Sequence, residues 1–212
     1  MDKIVLLGCG GHAKSVADAI LRGSGYEIAG FVKHAGEEDF AYRGIGVIGV
    51  DDDLQALYDD GIHHACICIG YLGHGNTRNR LYERLKNIGF ILPVIADPSA
   101  VQAGDVKIGE GTFIGKGVII NANVQIGKMA IINTAAVVEH DCVIGDYTHI
   151  AAAGVVCGNV SIGSNAFLGA NATILQGLKI GDNVLVGAGA VVVRDVRETC
   201  TVVGVPGKKI KS

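Results

Sequence analysis

Apolar positions follow two different rules along this chain. Over residues 1–95 they form short runs and helical stripes. Residues 4–8, 27–32 and 65–69 are compact apolar runs of strand length. Between them, residues 14–22 put Val16, Ala19 and Ile20 on one helical face. Residues 51–59 open with acids, as a helix N-terminus prefers. Residues 76–87 place Leu81, Tyr82 and Leu85 on one face, with Gly89 just beyond as a helix stop. Strands alternating with helices predict a Rossmann-like α/β domain with a small parallel sheet over residues 1–95.

From residue 96 the rule changes to a six-residue clock. Every sixth residue from Ile108 to Val192 is aliphatic, fifteen positions without a miss. The residue two before each is mostly small or aliphatic, for example Val118, Val124, Ala130 and Ala136. A second period lies on top, with Gly109, Gly127, Gly145, Gly163 and Gly181 spaced by eighteen. Six residues make one short strand and one corner, and three such sides close a coil. The expectation is a parallel β-helix over residues 96–212, its glycines serving corners that need positive φ or close backbone approach. A flat antiparallel sheet has period two and no six-residue clock.

Composition agrees. Gly is 32 of 212 residues, against a usual ~7%. Hydrophobic residues are 49% and net charge is −3, which excludes a disordered chain and a strongly basic nucleic-acid surface. No apolar stretch reaches the ~18 residues of a membrane helix. The six cysteines lack C-x-x-C spacing and read as reduced thiols of a cytoplasmic protein, with no zinc site.

Three groups carry chemistry. Gly8-Cys9-Gly10-Gly11-His12-Ala13-Lys14 follows a strand and opens a helix, where backbone N–H groups and the helix dipole suit a diphosphate. Ala13 replaces the third glycine of the dinucleotide fingerprint, and Lys33-His34 stands where its acid belongs, which disfavours NAD. The alternative is a tight turn with no ligand. Asn76, Arg78 and Arg80 could reach the same mouth. In the repeat region, His140 sits in Glu139-His140-Asp141 at a corner. An imidazole beside a carboxylate can take a proton from an incoming nucleophile. His149 lies half a coil on, and Asn133 lies seven residues before His140.

These residues resemble a known family. The glycine-rich turn, Ala96-Asp97-Pro98-Ser99-Ala100 leading into the hexads, Asn133-Thr134, Glu139-His140-Asp141 and the tail Val203-Gly204-Val205-Pro206-Gly207-Lys208-Lys209 are similar to bacterial acetyltransferases of nucleotide-linked amino sugars. That family is grouped with sialic acid O-acetyltransferases, and the resemblance covers the whole chain. It implies a left-handed β-helix, a homotrimer in the cytoplasm, and acetyl-CoA as co-substrate in a groove between neighbouring helices.

By the same resemblance, His140 is the general base and Asp141, often Glu in relatives, orients it. Gly10, Gly11 and His12 meet the nucleotide phosphates. Asn133 resembles a substrate-sugar contact; Asn76, from its place at the mouth of the turn, and Lys33, standing where relatives frequently carry an acid, are placed with it on the substrate side. His149, Gly158, Ala170, Ala188, Lys208 and Lys209 fall to the CoA side. The loop over residues 71–75 looks longer than is usual. The implied activity is direct N-acetylation of a nucleotide-linked amino sugar of the 4-amino-4,6-dideoxy type. Cys142 points inward, so no covalent intermediate is expected. The rivals are sialic acid O-acetylation, a metal lyase that would need three histidines in the helix, and a non-catalytic nucleotide-sugar scaffold.

Overall fold

The computed structural model describes residues 1–23, 25–73 and 76–210. These fall into two compact units. One comprises the described part of Met1–Gly70 with Asn76–Pro98, and the other holds residues 71–73 and the chain from Ser99 onward.

The first unit is a five-stranded sheet in the order β3-β4-β2-β1-β5. Strands β1 (Asp2–Leu7), β2 (Tyr26–Lys33), β4 (Ile45–Val50) and β5 (His64–Ile67) run parallel, and β3 (Ala41–Tyr42) pairs antiparallel with β4 at the edge. Ile4, Val5, Leu6 and Leu7 are buried, as a central parallel strand covered on both faces requires. Helix α1 (Gly11–Gly23) buries Ala13, Val16, Ala17, Ala19 and Ile20, at helical spacing. Its last turn carries Arg22, whose guanidinium donates to both oxygens of buried Asp97 at 3.0 Å. Helices α2 (Leu54–Asp59) and α3 (Thr77–Ile88) complete the unit.

Two expectations needed adjustment. Residues 51–53 are a 3₁₀ turn rather than the start of α2. The pair β3–β4 was not foreseen. Its sequence, Ile45-Gly46-Val47-Ile48-Gly49-Val50, interrupts the apolar run with two glycines and buries none of its residues fully, so the hydrophobic signal is weak.

The second unit is the expected stack of coils. Two-residue strands recur every six residues and build three parallel ladders. The first contains Ile119–Ile120 and Val137–Val138, the second Gln125–Ile126 and Val143–Ile144, and the third Ile131–Ile132 and His149–Ile150. Each strand pairs with the one eighteen residues on, as in Ile119↔Val137, Gln125↔Val143 and Ile131↔His149. Fourteen of the fifteen clock residues, from Ile114 to Val192, are buried. Each such side chain removed from water contributes on the order of 2 kcal/mol as an upper estimate.

The corners divide the two glycine roles. Glycines of the eighteen-residue series meet the next coil's backbone: a Cβ on Gly145 would lie 2.5 Å from the carbonyl carbon of Gly163. Positive φ belongs to another series, fourteen residues spaced by six from Gly111 to Gly189. Nine are Gly or Asn, the residues that adopt this conformation most readily. The other five are consecutive in the series: Met129, Ala135, Asp141, Tyr147 and Ala153, at φ 55–61°.

Candidate active site

Strand order places a cavity at the carboxyl ends of β1, β2, β4 and β5, where β1 is flanked on either side and the connections diverge. Open parallel sheets bind ligands at such points. The cavity holds about 750 Å³, within the range of small-molecule sites. Gly10, Gly11 and His12 line it. Gly8 makes the turn itself, at φ +115° and against the Cys68 carbonyl. A Cβ on Gly10 or Gly11 would meet nothing within 4 Å, so these two leave the floor open rather than serve packing.

Arg80, Thr77 and Arg84 of α3 reach the same cavity. Asn76 and Lys33 do not line it. Asn76 is the N-cap position of α3. Lys33 turns to the following loop, where its Nζ donates to the Glu37 carbonyl at 2.8 Å and to Asp39 at 2.9 Å. The sequence reading put Lys33 on the substrate side, whereas here the loop's own acceptors hold its ammonium group. Sequence reasoning also missed His34, Glu37 and Asp51 on the cavity wall. Asp51 Oδ2 is 2.9 Å from His34 Nδ1, a contact that raises the imidazole above its ordinary pKa. The acid absent from the end of β2 is thus present at the end of β4, a strand the sequence did not disclose.

His140 and Asp141 occupy the corner between the first and second ladders. The left-handed φ of 61° at Asp141 turns its side chain back toward its neighbour. His140 Nδ1 lies 2.8 Å from Asp141 Oδ2. A carboxylate accepts, so Nδ1 carries a proton, and in the neutral imidazole the lone pair is then on Nε2. Both side chains are about half exposed, at 61% and 49%. The amide of Asn123, 2.8 Å from Asp141 Oδ1, and then the His140 bond hold the Asp141 carboxyl below its usual range. Gly158 lies one coil away, directly against the imidazole. Cys142 points inward and is fully buried, its thiol donating to the Cys157 carbonyl at 3.1 Å. Burial pushes that thiol up, so it remains protonated and unreactive.

Asn133 and His149 come together on another side. His149 Nδ1 donates to the Tyr71 carbonyl at 2.6 Å, and the Asn133 amide lies 3.4 Å from Nε2. The Asn133 oxygen accepts from the Thr134 backbone at 2.8 Å, which fixes the amide's direction. His149 is buried and packs edge-on against Phe167. Tyr71, whose hydroxyl donates to the Asn165 carbonyl, opens the loop whose length the sequence had marked, but its contact with His149 had no sequence signal. Of the loop over 71–75, His74 and Gly75 lie outside the described residues.

Ala170 and Ala188 stack eighteen residues apart at the corner between the third and first ladders, both exposed. Lys208 and Lys209 lie on a strand antiparallel to Thr201–Val203, and Lys209 pairs with Glu198 at 2.9 Å. Among the described residues no helix is long and apolar enough to cross a membrane.

Known proteins match this arrangement. Residues 3–85 match the PglD N-terminal domain, and residues 159–194 match the hexapeptide repeat of succinyl-transferase. No curated protein sequence matches the chain. Among solved structures, PerB from Caulobacter crescentus, in complex with CoA and GDP-perosamine, is 38% identical with a TM-score of 0.92, covering 100% of this chain and 98% of its own. The acetyltransferase domain of PglB from Neisseria gonorrhoeae is 29% identical with a TM-score of 0.89, over 99% of this chain and 100% of its own. WeeI from Acinetobacter baumannii is 27% identical with a TM-score of 0.81, over 99% and 100%. The chain is an acetyltransferase and belongs to the bacterial sugar acetyltransferases that join a PglD-type N-terminal domain to a hexapeptide-repeat β-helix.

Proposed function

We propose that the protein transfers the acetyl group of acetyl-CoA to the amine of a nucleotide-linked amino sugar. The observation that carries this is the His140 imidazole, tied at Nδ1 to Asp141 on a side chain that is 61% exposed, with Nε2 outside that bond. A sugar amine attacks the thioester carbonyl while Nε2 takes one of its protons. The C–N bond forms, the C–S bond breaks, and the proton passes to the departing CoA sulfur. Asp141 stays ionised and steadies the imidazolium. Gly158, with no side chain against that ring, leaves its backbone available near the reacting atoms. The cavity of the first unit takes the nucleotide, with its diphosphate at Gly10, Gly11 and His12. The relative PerB, at 38% identity, is described as a perosamine N-acetyltransferase, which favours an amine over the hydroxyl of a sialic acid as acceptor.

The active species is a homotrimer in the cytoplasm, where acetyl-CoA is made. The outward side of the first ladder supports this, because it is a column of Val101, Ile119, Val137, Val155, Thr173 and Val191, apolar at all but Thr173. Val101 is 64% exposed and Ile119 42% exposed. Outward positions of the second ladder are instead largely polar, with Lys107, Gln125, Ser161 and Lys179. His140 lies at one edge of the apolar face and Asn133, Ala170 and Ala188 at the other. Covering that face with neighbouring copies brings one copy's His140 corner towards the next copy's Asn133 corner, where CoA would lie.

The test is free-thiol release from acetyl-CoA with GDP-, UDP- and dTDP-linked 4-amino sugars, and with free and CMP-linked sialic acid. Turnover on an amino sugar, lost in His140→Ala while acetyl-CoA still binds, is expected. Turnover on sialic acid alone, or full activity of His140→Ala, would overturn the assignment. Light scattering should give three times the 21.9 kDa chain mass.

A further inference from the structure

The corner that carries the His140–Asp141 pair contains one more hydrogen-bonded residue, placed eighteen positions earlier. Asn123 occupies the left-handed corner of the preceding coil, at φ 58°. Its Nδ2 donates to Asp141 Oδ1 at 2.8 Å, while Asp141 Oδ2 faces His140 Nδ1 at 2.8 Å. The carboxylate therefore has one oxygen for each partner. Asn123 is itself tied from the coil before, its backbone N–H donating to Asp105 Oδ2 at 3.1 Å. Asp105, Asn123, Asp141 and His140 form a single column along three stacked corners.

We infer that Asn123 is a positioning residue for the base, acting through the Asp141 carboxylate; this rests on the reading of His140 as that base. The physical need is plain. Asp141 is half exposed, so burial does not hold its side chain. The torsion that rotates a carboxylate about its own axis is broad and roughly two-fold. Nothing in the His140 contact alone stops the carboxylate from swinging away with the imidazole. An amide donor fixed on the other oxygen removes that freedom and keeps the proton on Nδ1. The four other asparagines in left-handed corners, Asn159, Asn165, Asn171 and Asn183, make no such side-chain bond among the described residues. They serve the backbone alone, whereas Asn123 combines that service with a bond to Asp141.

Two substitutions separate a positioning role from a backbone role. Asn123→Gly keeps the left-handed conformation without strain and deletes the amide. Asn123→Asp keeps shape and size but turns the donor into a second carboxylate facing Asp141. A backbone or packing role predicts that the Asp variant stays close to wild type. Positioning predicts the reverse order: with acetyl-CoA and the nucleotide-linked amino sugar that the wild-type protein turns over in the panel above, at neutral pH, kcat falls about tenfold in Asn123→Gly and further in Asn123→Asp. KM for acetyl-CoA should stay within about twofold, as expected of an interaction that orders the base without binding substrate. Asn183→Gly, the same backbone change away from the pair, should keep wild-type kcat. A crystal structure of Asn123→Asp should show the Asp141 carboxylate rotated off His140 Nδ1. Wild-type kcat in both Asn123 variants, or a loss in Asn123→Gly that Asn183→Gly repeats, overturns the inference while leaving His140 as base. Full activity of His140→Ala measured alongside would overturn both.

Discussion

The His140 ring lies on Gly158 so closely that a Cβ at that glycine would sit 2.7 Å from Nε2 and 2.8 Å from Cε1. Gly158 has no positive φ to justify it, so the ring is the reason for the glycine. This contact sets Gly158 apart from Gly145 or Gly163, whose missing side chains make room for backbone of the next coil. A ring at the end of a flexible side chain can move aside, while a backbone cannot.

Gly158→Ala should therefore act on turnover and not on folding. The added methyl displaces the imidazole by several tenths of an ångström, and misplacements of this kind lower rates steeply. We expect kcat to fall at least about tenfold with the melting temperature unchanged within about 2 °C. Gly145→Ala is the contrast, because its methyl meets the Gly163 backbone; that protein should lose several kcal/mol or fail to fold. Equal melting losses in the two variants would show that the ring is not what Gly158 accommodates.

Gly10→Ala tests the floor of the nucleotide cavity. The position has room for a methyl and an ordinary φ, so the fold should be untouched. The same methyl stands where a diphosphate would approach the backbone at the start of α1. KM for the nucleotide sugar should rise about tenfold or more, with the melting temperature of the ligand-free protein within about 1 °C of wild type. An unchanged KM would move the phosphates elsewhere in the cavity.

How far the sequence disclosed all this depends on how periodic each signal is. The hexad clock is repeated fifteen times, and it located every ladder, the inward residues and the corner that holds His140. The strand before the glycine turn was legible because four buried aliphatics adjoin it. Strand β4 was not, since Gly46 and Gly49 break its pattern, and with it Asp51 went unseen on the cavity wall. Lys33 was misdirected for a related reason: its partners Glu37 and Asp39 lie in an irregular loop with no period to read. The glycine roles were half legible. Period eighteen marked close approach, while the left-handed corners are spread over Gly, Asn, Met, Ala, Asp and Tyr, which no composition rule collects. The Asn123–Asp141 bond follows from the eighteen-residue stacking once the register is known, and from nothing before it.

Acid should separate Asp141 from ordinary carboxylates. Asn123 first, and then His140, depress its pKa in the folded protein. A group with a depressed folded pKa stabilises the fold above its unfolded value, about 3.9 for Asp, and loses that contribution as pH falls through the folded value. The stabilisation is thus present at pH 5 and declines as pH falls below that unfolded value. Asp141→Asn keeps a residue suited to left-handed φ but removes the charge. Its melting temperature should lie below wild type at pH 5, and the gap should close on acidification below about pH 4. A gap that does not narrow at all as pH falls below the unfolded value would trace the loss to something other than ionisation.

Left-handed strain offers the last test. Ala135 and Ala153 adopt φ 58° and 55° where most of the series uses Gly or Asn. An alanine there carries roughly 1 kcal/mol of steric strain that Asn relieves in part through its short polar side chain. Neither side chain is fully buried, so the larger residue meets solvent rather than core. Ala135→Asn and Ala153→Asn should each raise the melting temperature by about 1–3 °C. The reverse change at Asn165, also in the left-handed corner at φ 54°, should lower it by a similar amount. If Ala135→Asn and Asn165→Ala shifted the melting temperature in the same direction, corner conformation would not be the governing effect. Opposite shifts of similar size would show that the run from Met129 to Ala153 departs from the Gly and Asn rule at a real energetic disadvantage, in the same coils that hold His140, Asp141 and Asn133.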